Sequence, residues 1–144
     1  GDCMEVFIKP LHANAYVELY ANPSGNKTSF FFPSRSFLYG KFLDNQPLIP
    51  GLLEVYSHVD GTLNDSSDED NGWTTVMVIN RKVLQNQLGV PFDGTHPWTV
   101  LFAGYAYSSR KIYSSYFMYP ELPQPNFHYH EYYARLILEQ KRAK

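Results

Sequence analysis

The stretch Trp98–Tyr119, WTVLFAGYAYSSRKIYSSYFMY, limits the possible folds more than any other part of the chain. Two runs of β-branched and aromatic residues flank Ser108-Ser109-Arg110. Such residues suit a pleated, half-buried surface, so the stretch predicts a β-hairpin. Alternation puts Val100, Phe102, Gly104 and Ala106 on one face and Leu101, Ala103, Tyr105 and Tyr107 on the other. A strand apolar on both faces is central in its sheet, or carries a core on one side and a partner on the other.

The segments before it read the same way. Met4 to Lys9 predicts a short strand ended by Pro10. Ala15 to Tyr20 alternates, and Thr28 to Phe32 returns after Asn22-Pro23-Ser24-Gly25-Asn26, so residues 15–32 predict a hairpin. Phe37 to Leu43 predicts a further strand with a bulge at Gly40. Leu52 to Val59 and Trp73 to Ile79 predict two more. Between them Asp60 to Gly72, DGTLNDSSDEDNG, reads as an acidic flexible loop. Asn80 and Gly89 bracket a short helix over residues 81–88 as N-cap and C-terminal stop.

The proline-rich run 119–125 should be stiff and extended. After it, residues 126–142 predict a C-terminal amphipathic helix capped by Asn126, with Tyr129, Tyr133, Leu136 and Ile137 on its apolar face. The resulting expectation is a single domain over 1–144, mostly β with an α+β character. It is an antiparallel β-sandwich or partly closed barrel of about eight strands, covered by the terminal helix. Pleckstrin-homology-like domains and lipocalin-like barrels share that order of elements, but no motif selects either.

Composition narrows the function classes. Charged residues are 18% of the 144, and aromatics 17% with 12 Tyr and 10 Phe. A chain short of charge and rich in Tyr leaves some tyrosines on its surface, where Tyr is enriched at contacts. A net charge of −2 speaks against a nucleic-acid partner, which requires a basic face. No apolar run reaches the roughly 20 residues needed to span a bilayer. Cys3 is the single cysteine, which favours a reducing, intracellular setting. The sequons Asn26-Lys27-Thr28 and Asn64-Asp65-Ser66 leave secretion open.

Catalytic signatures are missing: no GxSxG, GxxxxGK[ST], GxGxxG or HExxH occurs. Asp68-Glu69-Asp70-Asn71-Gly72 misplaces the glycine of a calcium loop, and Ile79 stands where its bidentate Glu belongs. Ser66 and Ser67 each have an acid three residues on, a short phosphorylation-like pattern. His128 and His130 would share a face only on a strand, so on a helix they read as first-turn surface residues. A metal-free, histidine-based ribonuclease chemistry stays as a minor alternative.

The chain therefore reads as a non-enzymatic domain, with no cofactor or metal, that binds another protein or a second copy of itself. The expected contact residues are Tyr105, Tyr107, Arg110, Tyr113 and Tyr116, a Tyr-plus-Arg set of the kind that forms binding hot spots. The alternative is a small-ligand or glycan binder using an aromatic-lined pocket.

Overall fold

The structure, a computed structural model, describes residues 2–38, 48–65, 67–107 and 115–139. Its elements follow the order β1 (Cys3–Pro10), β2 (Tyr16–Ala21), β3 (Lys27–Phe32), β4 (Leu53–Asp60), β5 (Gly72–Ile79), α1 (Arg81–Leu88), β6 (Trp98–Ala106), β7 (Ser115–Tyr119) and β8 (Ala134–Leu136). All pairings are antiparallel. One sheet runs β3-β2-β1-β6-β7, with β8 also on β6, and a two-stranded sheet β4-β5 packs beside it. This is a sandwich-like α+β arrangement and not a closed barrel.

Local chemistry explains the elements that the sequence predicts well. In the β2–β3 turn, Asn22 Oδ1 accepts from the Asn26 amide at 2.9 Å and Gly25 takes φ +77°, open to glycine without strain. At α1, Asn80 Oδ1 accepts from the amides of Lys82 at 3.0 Å and Val83 at 3.2 Å, and Gly89 ends the helix at φ +67°. The acidic segment between β4 and β5 is the connection of that hairpin. Asp70 Oδ1 at its base accepts from the Thr62 amide at 2.7 Å.

Strand alternation gives the main sheet two buried faces of different character. On one, Val6, Ile8, Val17, Leu19, Trp98 and Val100 meet Leu52, Leu53, Leu84 and Leu88 from the β4–β5 hairpin and α1. Trp98 fits there because its indole N–H donates to the Pro91 carbonyl at 2.8 Å. On the other, Phe7, Tyr16, Phe32, Leu101 and Ala103 meet Leu122, Phe127 and Tyr133 from the C-terminal segment. Each fully buried side chain of this size contributes about 1.5–3 kcal/mol, so both covers stabilise the sheet.

The C-terminal cover is present, but it is not the predicted helix. Among the described residues of 126–142 there is a 3₁₀ turn at His130–Tyr132 and the strand β8, and no α-helix. β7 pairs with Phe102 to Ala106, which leaves the first residues of β6 with an open edge. Ala134, Arg135 and Leu136 fill that edge opposite Val100, Thr99 and Trp98. Aromatic residues lose side-chain freedom in a helix, so the run FHYHEYY resists this extended path little. The supposed apolar stripe is split as a result. Tyr133 enters the aromatic layer, Leu136 packs on the aliphatic one, and Ile137 is 82% exposed. The expected strand at 37–43 is also corrected where it can be seen, because Arg35–Leu38 forms a 3₁₀ turn. Its remainder, with Gly40, lies outside the described residues.

Candidate binding site

β1 ends, β2 begins and β3 ends at the same edge of the main sheet. The C-terminal segment crosses the aromatic face there and leaves an open depression of about 680 Å³. Asn14 from the β1–β2 loop, Ser34, Arg35 and Ser36 after β3, and Asn126, Tyr129, His130 and Glu131 line it.

Its walls are held from below by rings. Tyr16 stacks on Phe32 with centroids 4.9 Å apart and meets His130 edge-on at 5.6 Å. His128 sits edge-on to Phe7 at 5.2 Å, and its Nδ1 shares a 2.8 Å hydrogen bond with the Tyr16 hydroxyl. Asn126 Oδ1 accepts from the His128 amide at 3.1 Å, which sets the turn that presents Tyr129. At the rim Arg35 grips Glu131 with both nitrogens, Nη1 to Oε2 at 2.8 Å and Nη2 to Oε1 at 2.7 Å. The same guanidinium lies 5.6 Å from the Tyr129 ring centroid.

Burial decides the charges beneath the rim. It pushes the Glu18 carboxyl up to about 8, with the neighbouring Glu5 adding to the rise. Burial also pushes His128 down to about 4, helped by His130 and Arg35. Both groups are therefore neutral at pH 7, and the 3.9 Å approach of His128 Nε2 to Glu18 Oε2 is not an ion pair there. At the rim Arg35 holds Glu131 below its ordinary value. The histidines are thus partly buried packing groups, and the expectation of first-turn surface residues is corrected.

Of the sequence-predicted contact residues, the three that are described, Tyr105, Tyr107 and Tyr116, lie elsewhere. Tyr105 and Tyr116 are cross-strand partners on β6 and β7, and Tyr105 packs on Phe127 at 5.2 Å and on Tyr107 at 6.3 Å. Tyr107 and Tyr116 are 54% and 50% exposed. None of the three lines the depression, and Arg110 and Tyr113 lie outside the described residues. Phe102, Phe117 and Tyr119 are also exposed, grouped by register on the opposite face of the same strands. A second depression, of about 420 Å³, lies by the β4–β5 connection, with Tyr20, Trp73, Asn64 and Asp70 in its lining.

Among the described residues no group of three or more His, Cys, Asp or Glu side chains converges as a metal set. No helix among them is long and apolar enough to cross a membrane. The fold and rim together define a sandwich-like β-domain with an aromatic, mixed-polar depression at one sheet edge. No family model and no curated protein matches the chain. A solved structure from Bacteroides uniformis ATCC 8492, described as a "putative carbohydrate-binding protein", is similar in fold, with a TM-score of 0.60 at 19% identity. The match covers 95% of this chain and 61% of the other, so this chain spans less than two thirds of that neighbour's length. Identity this low speaks to fold alone.

Proposed function

We propose that the chain is a saccharide-binding β-domain and that the sugar occupies the depression between Arg35 and the C-terminal segment. The observation that carries this is the composition of the rim. Tyr129 offers an aromatic surface beside the planar polar groups of Arg35, Glu131, Asn14 and Asn126. A pyranose has an apolar C–H face and an edge of vicinal hydroxyls. A ring paired with amide, carboxylate and guanidinium groups complements both at once. The fold likeness to a protein described as carbohydrate-binding supports the same reading.

Isothermal titration against an oligosaccharide panel tests it. Tyr129→Ala should weaken binding by about tenfold or more without unfolding the domain. A panel with no binder, or full binding by the alanine variant, would remove the reading.

A second reading rests on the exposed aromatics of β6 and β7, which suit a protein partner or a second copy. Both readings describe binding, and they use different surfaces.

A further inference from the structure

The charges at the rim carry the saccharide reading one step further, to the chemical class of the sugar. Of the described lining residues, Arg35 and Glu131 alone bear a full charge at neutral pH, and they spend it on each other. Burial holds the His130 imidazole below its ordinary value, which keeps it neutral there. The charge of Lys9 is also felt by Glu131 and His130, although its side chain is not part of the lining. Lys9 is buried, and its ammonium donates to the carbonyls of Pro10 at 3.1 Å and Leu11 at 3.2 Å.

A uronate or sulfate entering this rim would meet a guanidinium whose fork already faces a carboxylate. Taking Arg35 over would strip Glu131 of its hydrogen-bonded cation, with only the more distant charge of Lys9 to offset it, and set two anions side by side, where like charges repel. Neutral hydroxyls do not pose that conflict. They can donate to the outer lone pairs of Glu131 and accept from the amides of Asn14 and Asn126 with the ion pair intact.

We propose that the depression selects uncharged saccharides and rejects uronate-containing or sulfated ones, because its arginine is committed fork-to-fork to Glu131. This selectivity rests on the saccharide reading. The intact Arg35–Glu131 pair is then the discriminating device, acting through repulsion of the wrong ligand as much as attraction of the right one.

The test titrates neutral gluco-, galacto-, manno- and xylo-oligosaccharides alongside glucuronate- and galacturonate-containing forms of matched length. The wild type should bind a neutral sugar at least about tenfold more tightly than its matched uronate. Glu131→Gln frees the guanidinium and should bring that ratio below about threefold or reverse it. Wild-type preference for the uronate, or an unchanged ratio in a folded Glu131→Gln variant, overturns the selectivity and leaves saccharide binding standing. Failure to bind any sugar removes both. Should the variant melt far below the wild type, the wild-type ratio alone decides.

Discussion

The hydroxyl of Tyr133 donates to the carbonyl oxygen of Phe127 at 2.6 Å, and both residues are buried against Phe7. This bond spans the segment that carries Tyr129, His130 and Glu131 and ties its two ends together, alongside the backbone bonds within the turn, so the geometry of the rim draws on a residue outside it.

Tyr133→Phe keeps the ring and removes the donor, leaving a buried carbonyl without its partner. The expected cost is about 1–3 kcal/mol, measured as a lowered urea midpoint. Tyr133→Ala should cost more, since it also opens a cavity beside Phe7. Equal stability of Tyr133→Phe and the wild type would show that the bond contributes nothing to holding the segment.

Stability should depend on pH through two groups that pull in opposite senses. The Glu18 carboxyl rises from 4.5 to about 8 on folding, so the folded chain holds the extra proton. Its contribution is complete below pH 4.5 and disappears as pH climbs through 8. Glu5, raised by burial as well, acts in the same direction. His128 falls from 6.5 to about 4, so its contribution is complete above pH 6.5 and disappears as pH drops through 4. The two slopes oppose each other between 4.5 and 6.5, and above 6.5 the carboxyl acts without its counterweight. The urea midpoint should therefore decline from pH 6.5 to 8, and Glu18→Gln should flatten that decline. A midpoint that rises over this range, or an identical decline in the variant, rules the account out.

The tyrosines of β6 and β7 should separate by burial. Tyr107→Ser and Tyr116→Ser should leave the melting temperature within about 4 °C of the wild type, because half of each residue is already in solvent. Tyr105→Ser should lower it, since the ring packs on Phe127. If the domain binds a protein or itself through this face, sedimentation should become less concentration-dependent in one of the two exposed variants. Unchanged self-association and unchanged partner capture in both would leave the protein-contact reading without support at these positions.

What the sequence made legible was local. The β2–β3 turn and α1 are set by Asn22, Gly25, Asn80 and Gly89, each acting within a few residues of itself. The alternation of β6 marked a strand apolar on both faces, central in its sheet or set between a core and a partner. The strand lies between β1 and β7, with Trp98 to Ala103 contributing to both cores while Phe102 stays exposed. The C-terminal segment was misread because its deciding partner is distant. The open edge at Trp98 to Val100 draws Ala134 to Leu136 into a strand, and helical spacing within the segment carries no trace of that edge. The candidate site was illegible for the same reason. Arg35 meets Glu131 across 96 positions and Tyr16 meets His128 across 112. The one available signal was the density of aromatic and polar residues in Asn126 to Tyr133, which helical periodicity absorbed as a packing stripe.

The placement of β1 at the centre of its sheet also bears on how the chain can be made. One flank of β1 is filled by β2, the next strand in the chain, whereas the other awaits β6, with Thr99 Oγ1 meeting the Lys9 carbonyl across 90 positions. At ribosomal speeds of about 5–20 residues per second, that delay is roughly 5–18 s. Throughout it, the newborn chain presents an unpaired apolar strand edge, the surface on which nascent proteins associate wrongly. Vectorial synthesis therefore gives this fold a vulnerable interval that refolding of the full-length chain from denaturant does not reproduce.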